Sequence, residues 1–310
     1  MSCHISSARA EFVFWSIFTP LVSLVTHLRR HSSFIPMAQS SIYLPPSVTQ
    51  RLHQPLQPIA QLPHSNVLLG YLQPGRRCVV KSFRLRVNSE SDHINIRRQL
   101  ENAALQWKRA NHPNVNKFIG LSGETPIPSV VTAYVERDIM GYLASSPTNN
   151  VSKFAMLYQV ADALAYMHSQ TPPILHTNIT GSNVLVDSTG RALLTDIGIH
   201  DVLFPPGVRI PVSAGGLERR FVGPRLSPRT IGLPEFTPFV QVMTQRVPYA
   251  EIQTDTQVIV LMQTTLPMLP QGLNGHLRNL LLSCWAEPRE RMPMHIIAAS
   301  LRNLSEQARS

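Results

Sequence analysis

Past residue 65 the chain alternates between short apolar, β-branched runs and longer segments whose apolar residues recur every three or four positions. NVLLGYL (66–72) and RRCVVKSFRLRV (76–87) flank Gln73-Pro74-Gly75, a turn signal, and predict a hairpin. Residues 93–109 then place Ile96, Leu100, Ala103, Ala104 and Trp107 on one helical face, and that helix is predicted to stop before NHPN. VNKFIGLSG (115–123) and PSVVTAYV (128–135) predict two more strands. A second helix is predicted over 152–168, with Phe154, Leu157, Val160, Ala161, Leu164 and Met167 on its apolar face. NVLVD (183–187) and ALLTD (192–196) predict another hairpin around Ser188-Thr189-Gly190. From 276 to 304 two helices are predicted, within HLRNLLLSCWA and MHIIAASLRNLSEQ. The order is a small β-rich lobe followed by a mostly helical one, with no internal repeat.

Ahead of this pattern, residues 38–65 carry Pro45, Pro46, Pro55, Pro58 and Pro63 with little periodicity and read as an extended linker. Residues 12–28, FVFWSIFTPLVSLVTHL, are apolar and followed by Arg29 and Arg30, but Thr19, Pro20, Ser23 and His27 dilute them. Residues 1–37 therefore read as a leader with no fold of its own, with Met37 as an alternative start; a membrane anchor through 12–28 is the other reading.

Composition narrows the function classes. The 43% hydrophobic and 15% charged residues fit a globular chain. The net charge of +10 favours an anionic partner, but the basic residues are scattered in pairs such as Arg76-Arg77 and Lys108-Arg109, as on solvated faces. With no aromatic-basic motif, a nucleic-acid role is not expected. The three cysteines, Cys3, Cys78 and Cys284, are too few and too far apart for a disulfide framework or a CxxC metal site, which favours a reducing, cytoplasmic setting. The twelve histidines show no metal-ligand spacing.

The candidate chemistry lies in five short motifs. CVVK ends on Lys81, NHPNV follows the first helix, HTNITGSN spans 176–183, DIG spans 196–198, and CWAEPRERMPM near the end carries Arg291. In this order they resemble the protein kinase domain over about 66–304: CVVK is similar to VAIK, HTNITGSN keeps every spacing of H-R-D-x-x-x-x-N, and DIG is similar to D-F-G. The resemblance implies an α+β bilobal fold, with an N-lobe of about 66–135 holding one helix and a larger helical C-lobe of about 136–305. It implies ATP and Mg²⁺ as cofactors, with Lys81 and Gly70 on the nucleotide side and Asn183 and Asp196 as magnesium ligands. His176 and Asn178 hold the catalytic-loop positions.

The departures carry as much information. The family's catalytic aspartate is Asn178, whose neutral amide takes no proton at ordinary pH, and the arginine beside it is Thr177. No GxGxxG precedes Lys81; between 41 and 75 the glycines are Gly70 and Gly75. The position for the lysine's helix glutamate holds Ala103, with Glu101 roughly 200° away round the helix. FVGPR (221–225) puts Arg225 where the family has a glutamate that would pair with Arg291, and part of the central C-lobe helix reads as deleted before FVQVMTQRVPYAEI (239–252). Three readings are open. The chain is a pseudokinase that acts through signalling proteins or another kinase and still holds nucleotide, a slow active kinase for Ser/Thr or Tyr, or a damaged chain without a stable fold.

Overall fold

The computed structural model describes residues 42–203 and 238–308, with breaks at 46–47, 49–51, 53–55, 63, 73–74, 86, 88, 124, 146–149, 255–256, 259–265, 267, 270, 274, 285 and 287–289. The leader with Met37 and the 12–28 anchor, and the segment holding Arg225 and Glu235, lie outside the described residues.

The first lobe is a five-stranded antiparallel sheet in the order β1-β2-β3-β5-β4, built from Gln57–Leu62, Ser65–Leu72, Arg76–Phe83, Ser129–Ala133 (β5) and Phe118–Ser122 (β4). β2 and β3 are the predicted hairpin. β1 is new, because it falls inside the segment read as linker. Its six residues QPIAQL are all exposed and do not alternate, and a bulge lies between Pro58 and Ala60. A proline is tolerated only on such an edge strand, so the pattern there carries no strand signal.

The linker reading is further corrected upstream. Ile42 and Leu52 are each only 1% exposed. Leu52 joins Leu72, Cys78, Val80 and Val131 in a cluster on one face of the sheet. Tyr43 forms a parallel bridge with Leu121 on the β4 edge, locked by Leu121 N–H to Ile42 O (2.7 Å) and Leu44 N–H to Leu121 O (2.8 Å). A side chain at Gly120 would meet Leu44 Cδ2 at 2.8 Å, so this strap needs glycine beneath it. Ile42, Tyr43, Leu44 and Leu52 thus pack as part of the domain.

Helix α1 (Glu90–Arg109) begins where the Ser89 side chain accepts from Asp92 N–H, with Glu90 and Asp92 in its first turn and Lys108 and Arg109 in its last, each favourable to the helix dipole. It buries Leu100, Ala103, Ala104 and Trp107. The NHPNV loop after it is stitched to the other lobe: Val115 bridges Leu194, Asn116 N–H donates to Leu194 O (2.7 Å), and Leu194 N–H donates to Asn114 O (2.9 Å).

In the second lobe a small sheet of Arg137–Asp138 (β6), Val184–Val186 (β7) and Ala192–Leu194 (β8) carries the predicted second hairpin. Around it lie Ile139–Ser145 (α2), Asn150–His168 (α3), Ile199–Leu203 (α4), Pro238–Thr244 (α5), Gly275–Cys284 (α6) and Met294–Gln307 (α7). α3 is the lobe's buried spine, with Leu157, Ala161, Ala163, Leu164 and Met167 at 1% exposure or less. Short α5 keeps Phe239 fully buried, so the C-lobe has a core element after the residues read as deleted. This is the α+β, two-lobed arrangement expected from the motif order, and the described core is extensive and well buried.

Candidate functional site

β3 brings Lys81 to the junction of the lobes, and the turn after β8 brings Asp196 to meet it. Lys81 Nζ donates to Asp196 Oδ2, with the two side chains 12% and 15% exposed. Lys81 has an ion-pair partner after all, supplied by the other lobe rather than by α1. Ala103 fills the helix position expected to carry that partner and packs against Gly198: a Cβ built on Gly198 would lie 3.4 Å from the Ala103 methyl. Glu101 points elsewhere. Its Oε1 accepts from Tyr43 Oη (2.5 Å) and faces Arg97 Nε (3.4 Å), while Arg97 also donates to Tyr43 Oη (3.2 Å). Burial, followed by the Glu101 hydrogen bond, raises the Tyr43 phenol above its ordinary pKa, so it stays a donor to the carboxylate.

The loop 176–183 is held to the strand end and turn around DIG by two backbone bonds and braced within itself by one side chain. Gly198 N–H donates to His176 O (3.1 Å), Thr195 N–H to Asn183 O (3.0 Å), and Asn183 Nδ2 to Asn178 O (2.9 Å). Thr177 (φ 70°) and Asp196 (φ 63°) adopt left-handed backbone. Such conformations cost non-glycine residues of order 1 kcal/mol, and they persist where the surroundings fix them. His176 is fully buried and acts here through its carbonyl.

Lys81 and Asp196 are therefore brought together by one bond and Asn178 and Asn183 by another, and the Thr195–Asn183 backbone bond makes all four part of one arrangement that His176 supports. Gly70 is not. It lies within β2 opposite Cys78, and a side chain there would meet Cys78 Sγ and Leu56 Cδ2, both at 3.2 Å. Residues alternate sides along a strand, so Gly70 faces the cluster of Cys78 and Val80, the side opposite Lys81. Nor does either connection carry a glycine-rich run: Pro63 and His64 separate Leu62 from Ser65, and Gln73, Pro74 and Gly75 separate Leu72 from Arg76.

Gln241 is a site residue the sequence reading missed. It is 7% exposed on α5, and its Oε1 accepts the Gly181 N–H (2.9 Å). A side chain at 181 would strike that oxygen at 2.6 Å and Met140 Cγ at 2.7 Å, so only glycine fits. The available signal was a lone amide inside the apolar run PFVQVM. Arg291 donates to Ala286 O (2.9 Å).

The donor set fits a hard cation and a nucleotide only in part. Among the described residues no three His, Cys, Asp or Glu side chains cluster. A magnesium ion would rest on the Asp196 carboxylate and the Asn183 amide oxygen, with its remaining oxygens from phosphate and water. Asn183 Nδ2 already donates to Asn178 O, which leaves its amide oxygen as the acceptor. Lys81 would have to exchange Asp196 for phosphate.

Comparison with known proteins decides the family. The model of the protein tyrosine and serine/threonine kinase family matches residues 58–207. The chain carries a domain of the protein kinase family. It is 32% identical over 97 residues to the serine/threonine-protein kinase CTR1 of Arabidopsis thaliana (30% of this chain, 12% of that protein). It is 29% identical over 138 residues to wall-associated receptor kinase 4 of the same plant (43% and 18%). A third likeness, 23% over 229 residues, is to the probable serine/threonine-protein kinase qkgA of Dictyostelium discoideum (66% and 14%). The chain thus spans less than a fifth of each relative's length. Among the described residues no helix of this kinase-family chain is long and apolar enough to cross a membrane.

One buried group close to the DIG turn is expected to make the domain acid-sensitive. Burial, with the neighbouring His176 adding to it, pushes the His200 imidazole down to about 4. The unfolded chain, at an ordinary value of about 6.5, takes up the proton first. This contribution is fully present above pH 6.5 and is lost as pH falls toward 4, to a limit of about 3 kcal/mol. Urea melts at pH 7.5 and 4.5 should differ by that order, and His200→Gln should flatten the difference; equal pH dependence in both chains would assign the acid sensitivity elsewhere.

Proposed function

We propose that this domain is a pseudokinase: a kinase fold that retains a weak Mg²⁺-ATP site, transfers phosphate poorly or not at all, and regulates signalling proteins, among them another kinase. The observation that carries the proposal is the intact loop around an altered residue. The hydrogen bonds from Asn183 to Asn178 O and from Gly198 to His176 O hold the catalytic loop in place, so what is missing at 178 is the carboxylate and not the geometry. When bound, magnesium and ATP would supply the phosphoryl group and the charge that neutralises it. The chain's own residues would do the rest: Lys81 and Asp196 would part and bind, Asn183 would orient, and Asn178 would hydrogen-bond a hydroxyl without accepting its proton. Glu101 supports this reading too, because its engagement with Tyr43 leaves Lys81 without a helix carboxylate to hold it toward phosphate.

A slow but active kinase for Ser/Thr or Tyr is the second reading. It is favoured by the retained trio Lys81, Asn183 and Asp196, since phosphoryl transfer is mostly positioning and electrostatics.

The test is a thermal melt of the full chain with Mg²⁺, with ATP, and with both, followed by a peptide phosphorylation assay. Ligand at about 100 times its Kd should stabilise the native state by about 2.7 kcal/mol, roughly 5–10 °C for a domain of this size. The expected result is an upward shift with Mg²⁺-ATP that is absent with ATP alone and in Lys81→Met. Peptide phosphorylation at the roughly 1–100 s⁻¹ usual for kinases would overturn the pseudokinase reading. A cooperative melt that no nucleotide moves would remove the ATP site and leave the scaffold.

A further inference from the structure

A cavity of about 630 Å³ opens where the end of α1, the NHPNV loop, the end of β5 and the β7–β8 hairpin meet. Lys81, Asn178, Asn183 and Asp196 do not line it. Its volume lies in the range of small-molecule sites, roughly 300–1,000 Å³.

The charged side chains that line it have one sign. Lys108, Lys117 and Arg191 line it, and no Asp or Glu does. Arg191 is tied to Asp187 (3.0 Å). His112 sits 3.4 Å from Asp162, and burial lowers its pKa despite that carboxylate, so it stays neutral at neutral pH. Lys108 and Lys117 are both exposed, and their side chains add two further positive charges to the lining. Val115, Phe118 and Leu193 add an apolar wall. The frame is preformed. Trp107 Nε1 donates to Asn116 O (3.0 Å), Asn114 Nδ2 to Ala192 O (2.8 Å), and Asn116 Nδ2 to Ala133 O (3.2 Å).

We infer that this cavity binds a small amphipathic anion, an organic carboxylate or phosphate whose apolar body lies on Val115, Phe118 and Leu193 and whose acidic group is met by Lys108 and Lys117. The site is independent of nucleotide binding at Lys81.

The probe is 8-anilinonaphthalene-1-sulfonate, itself a small aromatic anion, titrated into the ¹⁵N-labelled full chain. The readout is the indole N–H resonance of Trp107, distinguished from the chain's two other tryptophans by Trp15→Phe and Trp285→Phe. A saturable shift of that resonance is expected. It should persist in Lys81→Met, and Kd should weaken about tenfold or more in Lys108→Glu/Lys117→Glu and with neutral 1-naphthol in place of the anion. If the charge-reversed chain does not melt cooperatively, Lys108→Gln/Lys117→Gln serves instead. An unmoved Trp107 resonance, equal binding of 1-naphthol, equal binding by the folded lysine variant, or loss of binding in Lys81→Met would each overturn the assignment.

Discussion

Asn178→Asp is expected to raise the rate of phosphate transfer to a hydroxyl acceptor by about 10² to 10⁴, the range that general-base assistance supplies. The backbone of residue 178 already accepts the Asn183 amide, and the flanking bonds from Gly198 and Thr195 do not involve its side chain. A nearly isosteric carboxylate can therefore enter without rearranging the loop. The comparison should be made with Mg²⁺-ATP saturating and with Lys81→Met/Asn178→Asp as the control, so that any gain is tied to the site. A rate that does not move would place the defect in the approach of nucleotide: in Lys81 bound to Asp196, and in strand connections without the glycines of a covering loop. A gain at the upper end would make this chain a kinase lacking one carboxylate.

Leu52→Ala is expected to cost the fold about 2–5 kcal/mol, the usual effect of emptying a well-packed leucine site. Leu52 is 1% exposed against Leu72, Cys78, Val80 and Val131, and the cavity left behind would lie beside the Cys78 thiol. Burial now holds that thiol up at about 11, so it should also become more reactive toward a thiol reagent as the cover loosens. Urea denaturation measures the first effect and the kinetics of thiol modification the second. Were residue 52 part of a solvated linker, the change would stay within about 0.5 kcal/mol.

What could be read from the sequence divides along physical lines. α1, α3, α6, α7 and both hairpins were legible because each buries a periodic face; α7, for instance, runs Met294–Gln307, the span of the predicted MHIIAASLRNLSEQ. Lys81, Asn183 and Asp196 were singled out through the resemblance of their motifs, and the structure joins Lys81 to Asp196. β1 was not legible, since an exposed edge strand with Pro58 has no alternation to detect. Ile42 and Leu52 were hidden for a related reason: isolated apolar residues among prolines look like linker until the surface they cover is known. Gly70 misled because glycine serves equally for closeness to phosphate and for closeness to a neighbouring strand, and only the sheet register separates the two. The partners of Glu101 and Lys81 depend on how segments more than 50 residues apart meet.

The Ala103–Gly198 contact has a consequence for this protein's history. Where a helix carboxylate would reach toward Lys81, the methyl of Ala103 lies against Gly198, and Ala103 is only 7% exposed. A glutamate introduced there would add a longer side chain and a charge to a space already closed, before any benefit to Lys81 was felt. Any return of a helix carboxylate at 103 would have to pass through less stable chains, so packing opposes that change as a ratchet does.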